Sequence, residues 1–197
     1  KVLQSLKPWT LESIGQHVIR GQYAAGNHQG QPVRVVVPEG LGAAEAAHWC
    51  GQWPSAGWQG QRGCVSVVSV PFLAQEQYDM LLWLCDINLV RGEDSFVRAQ
   101  WAALPFVWHI YPQDDSAHLD KLRAFLTLYQ AELPAEAAAA LTDFWLAWNH
   151  GVGIEPAWRA LMAQRLALVH HARAWAAQLA RRGGLAANLA RFCESLL

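Results

Sequence analysis

Residues Cys85–Gln113 read CDINLVRGEDSFVRAQWAALPFVWHIYPQ and carry the clearest succession of elements in the chain. Ile87 to Val90 is a short apolar run with branched residues, which is typical of a buried strand. Arg91 to Asp94 reads as a turn, and residues 95 to about 103 have helical spacing up to a proline that ends the helix. Phe106 to Tyr111 reads as the next strand. The pattern predicts one βαβ unit, whose loop lies at the carboxyl end of a parallel strand, where open α/β sheets bind their ligands.

The loop after the first of these strands combines groups that suit a phosphorylated ligand. Free backbone N–H groups and a partial positive charge at a helix start favour a phosphate or diphosphate. Arg91 can add a charge-assisted contact, and the Ser95 hydroxyl can add a donor. Glu93 would repel a diphosphate, so it would have to face a neutral group such as a sugar hydroxyl. The same residues also fit an ordinary helix start, with Asp94 or Ser95 as cap and Arg91 paired to Glu93.

A resemblance to a known family favours the ligand-binding interpretation. Residues 91–101 (RGEDSFVRAQW) and 105–113 (PFVWHIYPQ) closely resemble the bacterial elongation factor P arginine rhamnosyltransferases, the EarP family. Flanking motifs agree with it, namely VVVPEG at 35–40, PF at 71–72 with Gln75, YD at 78–79 and LLW at 81–83. The resemblance runs from about residue 31 to the C terminus.

The resemblance and the element pattern imply the same class of fold. Alternating strands and helices, followed by helices alone, predict an α/β domain with a short, mostly parallel sheet and a C-terminal helical tail. The resemblance implies more specifically the Rossmann-like, donor-binding half of a GT-B glycosyltransferase. In that family dTDP-β-L-rhamnose gives its sugar to an arginine of elongation factor P, with inversion and without a metal ion or other cofactor. The positions that the resemblance implies are Glu93 as the catalytic residue and Phe72, Gln75, Tyr78, Arg91, Gly92, Asp94 and Ser95 as donor-binding residues.

The turn from Pro71 to Tyr78 is the second place where ligand chemistry is expected. An aromatic ring and an amide at the end of a parallel strand suit a nucleobase, because the ring stacks on its face and the amide bonds its edge. In the family this region lines the thymidine pocket, and the matching positions are Phe72, Gln75 and Tyr78. The alternative is that Phe72 and Tyr78 pack in the core and Gln75 merely starts a helix.

Transfer to an arginine sets particular chemical demands. A guanidinium is protonated, with a pKa above about 12, and is a weak nucleophile, so carboxylates must orient and polarise it. The helix start at Asp94 and Ser95, together with Arg91, would stabilise the departing diphosphate without a metal ion. Glu93 would either hold the rhamnose or assist the acceptor guanidinium, and the sequence leaves both roles open.

Residues 1–30 are predicted to be an atypical N-terminal extension, and residues 31–197 to form the nucleotide-sugar-binding domain. KVLQSL at 1–6 and VIRGQYAAG at 18–26 resemble an internal segment of bacterial glucose-6-phosphate dehydrogenase, without its dinucleotide fingerprint. We therefore hypothesise a junction of two coding sequences, with a loosely attached helix and arm. Nothing in residues 1–30 matches the acceptor-binding domain of the family, which carries the proposed general base, so the chain alone is expected to be inactive.

The amino-acid composition limits which classes of protein fit this sequence. With 53% apolar residues the 197-residue chain can bury a sizeable core, and a formal charge of −1 gives no basic field for nucleic acid. No run of about 18 uncharged apolar residues and no signal-peptide pattern occurs, which favours a cytoplasmic protein without a membrane segment. The four cysteines lack CxxC spacing and the eight histidines lack zinc-like grouping, so reduced thiols and no metal site are expected.

The rest of the chain gives a simpler pattern. Most of the eleven tryptophans are expected to be packing residues, and Asp114 to Ser116 a turn and helix cap. Strands are predicted at 33–37 and 65–70, a surface loop at 53–63, and helices at 43–50, 75–85, 117–129, 134–149, 157–181 and 185–197.

Two other hypotheses compete with a donor-binding domain. The chain could be a non-catalytic structural or interaction fragment, which the replaced N-terminal segment favours. It could also be another nucleotide-sugar enzyme of the same architecture, such as an epimerase, although the continuous match over residues 91–113 favours the rhamnosyltransferases.

Overall fold

The computed structural model of the chain describes residues 33–53, 55, 57–63, 65–113 and 117–195. The predicted extension at 1–30 and the predicted cap at 114–116 lie outside these ranges. The strands are β1 (Val33–Pro38), β2 (Gln59–Arg62), β3 (Val65–Val70), β4 (Asn88–Arg91) and β5 (Phe106–His109). The helices are α1 (Leu41–Trp49), α2 (Gln75–Leu84), α3 (Glu93–Trp101), α4 (Ala117–Tyr129), α5 (Ala135–His150), α6 (Ile154–Ala163), α7 (Arg165–Arg181) and α8 (Leu185–Glu194).

The described strands form two short sheets of a mixed α/β fold. In the first, β3 lies in the centre, pairing in parallel with β1 and antiparallel with β2. In the second, β4 pairs in parallel with β5, so that Asn88 lies opposite Phe106 and Arg91 opposite His109. The predicted βαβ unit of β4, α3 and β5 is therefore confirmed, and its loop lies at the carboxyl end of β4.

Two predicted elements differ from the structure. The stretch 53–63, predicted as a surface loop, contains strand β2, whose residues are polar and mostly exposed as expected at a sheet edge. The predicted helix 157–181 is two helices, α6 and α7, because the backbone at Gln164 leaves the helical region with φ −97° and ψ 9°. Helix α6 also starts earlier than predicted, directly after Gly153, whose φ of 71° suits glycine.

An aromatic cluster joins the helical tail to strand β5. Trp145 of α5 lies with its ring centroid 5.4 Å from that of Phe106 and 5.8 Å from that of Phe125. Tyr129 of α4 lies 5.1 Å from the ring of Trp175 of α7. The Trp145 indole Nε1 also donates to the Phe106 carbonyl at 3.2 Å. This aromatic cluster of Phe106, Phe125, Tyr129, Trp145 and Trp175 makes the tail part of the same core as the sheet.

Asn149 extends that attachment to the backbone beyond β5. Its amide oxygen accepts from the Ile110 N–H at 3.0 Å, and its Nδ2 donates to the Trp108 carbonyl at 2.9 Å. These bonds pair backbone groups at the end of β5, which would otherwise lack partners in a buried environment. Helix α5 thus holds the carboxyl end of β5, next to the predicted ligand loop, through hydrogen bonds to its backbone.

Most tryptophans in the described residues are buried, as predicted. Of those in the described residues, the buried ones are Trp58, Trp108, Trp145, Trp148, Trp158 and Trp175. Trp53, Trp83 and Trp101 are more than half exposed.

Cys50, Cys85 and Cys193 are free thiols. Within the described ranges, no helix combines the length and apolar character that crossing a bilayer requires.

Candidate functional site

A cavity of about 320 Å³ opens where the carboxyl ends of β1 and β3 meet the starts of α2 and α3. Residues that the sequence analysis selected from two separate stretches meet in its wall. They are Phe72, Gln75 and Tyr78 from the first stretch and Asp94 and Ser95 from the second; the remaining lining residues are Pro38, Leu73 and Arg98. The carboxyl-end location is the one at which α/β sheets bind ligands.

The start of α3 is shaped by Gly92 and not by a side-chain cap. Gly92 is the residue before the helix, with φ 81°, and no side chain caps the first turn. The predicted cap by Asp94 or Ser95 is therefore wrong, because both residues already lie inside the helix. The φ of Gly92 favours glycine, and a β-carbon there would also make a tight contact of 3.0 Å with the Tyr111 ring. The turn brings the first helical N–H groups close to the cavity wall that Asp94 and Ser95 line.

Ser95 and Tyr78 form the buried part of the wall. Ser95 is 2% exposed, and the Tyr78 hydroxyl is buried without a partner in hydrogen-bond geometry. Burial raises the pKa of Tyr78, and its contact with the Ser95 side chain opposes that shift without cancelling it. The phenol therefore remains a neutral group with a donor to offer at neutral pH.

Phe72 lies at the open edge of the cavity. Its side chain is 65% exposed, so the alternative in which Phe72 packs in the core is wrong. The ring of Tyr78, by contrast, packs against the core while its residue also lines the cavity. An exposed ring at a cavity mouth is available for stacking on a planar ligand.

Arg91 lies beside the cavity and not in its wall. Its guanidinium stacks on the Tyr111 ring at 4.6 Å from the centroid, and its Nε is buried without a hydrogen-bond partner. Burial lowers the pKa of Arg91 from its ordinary value, although the group remains charged at neutral pH. The contact with Tyr111 holds the plane of this guanidinium next to the turn at Gly92.

Glu93 does not join the cavity wall. The predicted alternative pair of Arg91 with Glu93 is wrong, since the Glu93 carboxylate instead accepts from Lys121 Nζ of α4 at 3.3 Å. Both side chains are more than half exposed, and such surface pairs contribute only about 0–1 kcal/mol. The carboxylate is therefore easily released from Lys121 when another partner is present.

Arg98 is a lining residue that the sequence analysis did not select. Its guanidinium donates to both carboxylate oxygens of Asp79 on α2, at 2.8 and 2.7 Å, and to Asp94 Oδ2 at 3.0 Å. The i,i+4 spacing of Asp94 and Arg98 signals half of this arrangement. The contact with Asp79 joins α2 to α3, and no spacing in the sequence indicates it.

Comparisons with known proteins agree in pointing to one family. The family described as elongation factor P (EF-P) rhamnosyltransferase EarP matches residues 10–194. This range begins inside the segment that the sequence analysis set apart, and the hypothesis of a junction of two coding sequences stays a prediction. A protein-arginine rhamnosyltransferase of Pseudomonas aeruginosa is 49% identical over 163 residues, which cover 82% of this chain and 43% of that protein.

Other similar proteins carry the same description. A protein-arginine rhamnosyltransferase of Pseudomonas putida is 45% identical over 168 residues, covering 85% of this chain and 45% of that protein. A solved structure, described as the structural basis for EarP-mediated arginine glycosylation of translation elongation factor EF-P, superposes with a TM-score of 0.75 at 41% identity. That match covers 89% of this chain and 55% of the solved chain. The chain thus spans about half the length of the curated relatives and of the solved structure that it matches.

Proposed function

The chain belongs to the EarP family of elongation factor P rhamnosyltransferases, and we propose that it supplies the donor-binding half of such an enzyme. In this proposal it binds dTDP-β-L-rhamnose for inverting, metal-independent transfer of rhamnose to an arginine of elongation factor P in the cytoplasm. Residues 31–197 act as one Rossmann-like domain of the GT-B type. The observation that carries the proposal is the single cavity wall in which Phe72, Gln75, Tyr78, Asp94 and Ser95 meet.

The end of the cavity formed by the start of α2 suits the base of the donor. Phe72 presents an exposed ring for stacking, and Gln75 presents an amide for the base edge. The Tyr78 hydroxyl, which lacks a partner among the described residues, adds a donor deeper in the wall. Each of these groups recognises a neutral, planar, polar-edged ligand better than a charged one.

The end of the cavity formed by the start of α3 suits the diphosphate. The first-turn N–H groups of α3 and the positive end of the helix dipole favour an anion, and the Ser95 hydroxyl in the same wall can add a donor. Arg91 adds a desolvated cation beside this wall. The Asp94 carboxylate repels the diphosphate less than a free carboxylate would, because it is bonded to Arg98 at 3.0 Å.

This arrangement assigns catalysis to stabilisation of the leaving group. As the bond between the sugar and the diphosphate breaks, negative charge grows on the diphosphate, and the α3 N–H groups, Ser95 and Arg91 stabilise it where it forms. Glu93, held by Lys121 only through an exposed pair, turns toward the sugar or the acceptor guanidinium. A carboxylate in that position orients the guanidinium and favours its deprotonation. In this proposal the chain alone binds the donor and transfers no sugar.

The test is a calorimetric titration of the chain with dTDP-β-L-rhamnose, repeated with Ser95→Ala and Glu93→Ala. Saturable binding is expected in the unsubstituted chain. Ser95→Ala removes a hydrogen bond to a charged group, worth about 1.5–3 kcal/mol, so its affinity should fall roughly tenfold or more. Glu93→Ala should weaken binding if Glu93 holds the sugar and leave it unchanged if Glu93 serves only the acceptor.

The matched control is Glu136→Ala, because Glu136 is also an exposed glutamate in the first turn of a helix but lies away from the cavity. Its titration should be indistinguishable from that of the unsubstituted chain. Absence of heat from a chain that unfolds cooperatively would contradict donor binding and support the structural-fragment alternative. Equal binding of UDP-N-acetylglucosamine would support a different nucleotide-sugar enzyme.

A further inference from the structure

Arg98 lies where three polar side chains around the cavity meet. Its Nη1 donates to both carboxylate oxygens of Asp79 on α2, and its Nε donates to Asp94 on α3. The third neighbour is the amide of Gln75 at the start of α2. Arg98 is partly exposed, with 24% of its side chain accessible to solvent. One guanidinium therefore links the base end of the cavity to the diphosphate end.

The guanidinium determines which end of the Gln75 amide faces it. A guanidinium has only N–H donors, so it requires an acceptor from each neighbour. Turning Oε1 toward Arg98 lets Gln75 accept from the Nε–H at 2.9 Å, and the donor-only chemistry of the guanidinium assigns this orientation. The reverse orientation would set the amide NH₂ against guanidinium N–H groups, donor against donor. The amide nitrogen is therefore the end turned away from Arg98.

We infer that Arg98 is a positioning residue that fixes the Gln75 amide with its NH₂ group as the donor offered to the ligand, and so selects a base with a carbonyl at the recognised edge. The inference rests on the proposed function, because it concerns the base of the nucleotide that the cavity is proposed to bind. Thymine and uracil present a carbonyl oxygen where cytosine presents an amino group. An NH₂ donor bonds the carbonyl and leaves the amino group of cytosine facing another donor.

The link to two aspartates explains why an arginine suits this position. Asp79 binds Nη1 through both of its oxygens, and Asp94 shares the single Nε–H with Gln75, so the guanidinium plane is held from two helices. Gln75 then meets a donor that cannot rotate away. A lysine would offer one compact ammonium on a flexible stem and could not serve the three neighbours in fixed directions.

The experiment compares binding of dTDP, dUDP and dCDP to the full chain by titration calorimetry. These probes share the sugar and diphosphate and differ in the edge of the base. We expect dTDP and dUDP to bind about tenfold or more tightly than dCDP, since one correctly paired base edge commonly discriminates by that factor. The ratio of the dCDP and dTDP dissociation constants is the quantity to follow in the variants.

Two variants test the cause of the preference. Gln75→Glu keeps an acceptor for Arg98 but offers the ligand no donor at neutral pH, so dTDP should lose about tenfold in affinity and dCDP should not. Arg98→Lys removes the group that fixes the orientation of the Gln75 amide. The ratio of the dCDP and dTDP dissociation constants should therefore fall toward one. Gln52→Glu and Arg123→Lys make the same chemical changes at exposed positions and should leave the ratio unchanged.

The possible outcomes separate this inference from the function on which it rests. A folded chain that binds none of the three nucleotides contradicts the proposed function and the inference with it. Binding of dTDP with an equal affinity for dCDP overturns the inference alone, as does a preference that survives Gln75→Glu. If Arg98→Lys lowers the melting temperature and leaves the ratio intact, Arg98 has only a structural role. Gln75→Glu decides the question if Arg98→Lys does not fold, because Gln75 is exposed at a helix start.

Discussion

Two faces of α3 are held in place by different physical means. Toward the helical tail, α3 and β5 pack on aromatic rings, with Phe96 stacked on Trp108 at 4.1 Å and the aromatic cluster behind them. Toward the cavity, α3 is joined to α2 by Arg98 and its acidic partners. The outer surfaces of α2 and α3 there leave large apolar side chains exposed, including Trp83 at 59% and Trp101 at 53%.

This difference indicates a division of labour between stability and recognition. Close-packed aromatic rings gain free energy from burial and lose it steeply when a cavity is opened. A partly exposed ionic link contributes little to stability but fixes the directions of donors and acceptors. We therefore expect substitutions in the aromatic cluster to act on folding and substitutions around Arg98 to act on binding.

The largest effect is expected from Trp145→Ala. Trp145 is fully buried and donates to the Phe106 carbonyl, so its truncation opens a cavity and leaves a carbonyl unpaired. The free energy of unfolding should fall by about 3–5 kcal/mol. Urea denaturation followed by circular dichroism measures it. Trp101→Ala is the matched control at an exposed site and should change the same quantity little; equal losses in the two variants would contradict the proposed division.

A smaller effect, dependent on pH, is expected from His171, the histidine that contacts the aromatic cluster. Its ring lies 4.7 Å from that of Tyr129, its Nε2 is buried without a partner, and burial lowers its pKa below the ordinary 6.5. A backbone contact with Tyr129 and the charge of Glu132 oppose that shift. The unfolded chain therefore takes up a proton at pH values where the folded chain does not.

The sign of the pH dependence follows from that difference in proton binding. The neutral form of His171 makes its full contribution to the free energy of unfolding above pH 6.5. This contribution is lost as the pH falls from 6.5 through the lowered pKa of the folded state. Melting temperatures measured between pH 7.5 and about pH 5 should fall less in His171→Gln than in the unsubstituted chain. His170→Gln changes the exposed neighbour and should retain the full acid sensitivity. Parallel pH curves for all three proteins would show that His171 does not carry the effect.

The smallest effect on stability is expected from Asp79→Asn on α2, which binds Arg98 on the cavity face of α3. The substitution removes the charge that holds Arg98 from α2, yet both side chains remain in contact with solvent, at 24% and 31% exposure. The melting temperature should change less than in Trp145→Ala, whereas the affinity for dTDP should fall. Asp120→Asn, in the exposed pair with Arg123, should alter neither quantity. A large loss of stability with unchanged affinity in Asp79→Asn would reverse the comparison.

Sequence reasoning succeeded where a pattern is local. The βαβ unit from Ile87 to Tyr111 shows itself through apolar runs, a glycine-containing turn and a proline, each of which acts within a few residues. Phe72 and Ser95 each follow the carboxyl end of a strand, as ligand-binding residues of α/β folds do, and they meet in one cavity although β3 and β4 belong to different sheets. The family resemblance identified which residues after these strands were candidates for ligand binding.

Prediction from the sequence failed where the partner of a side chain lies on another element, or where the backbone geometry overrides the local propensity of the residues. The pairing of Glu93 with Lys121 depends on how α4 packs, and that of Arg98 with Asp79 depends on the approach of two helices. Strand β2 is polar and contains glycine, so only its backbone bonds to β3 identify it. The break at Gln164 has no proline or glycine to announce it.

Gly92 has a consequence for how this region can vary in a population of sequences. Any side chain there meets both a φ of 81° and the Tyr111 ring at 3.0 Å. Reducing Tyr111 to a smaller residue relieves the contact but not the backbone strain, and it also removes the surface on which Arg91 stacks. The backbone angle therefore favours glycine at position 92 whatever residue stands at 111. A saturation library selected for folding and donor binding would retain glycine at 92 while the exposed positions of α2 outside the cavity wall diversify.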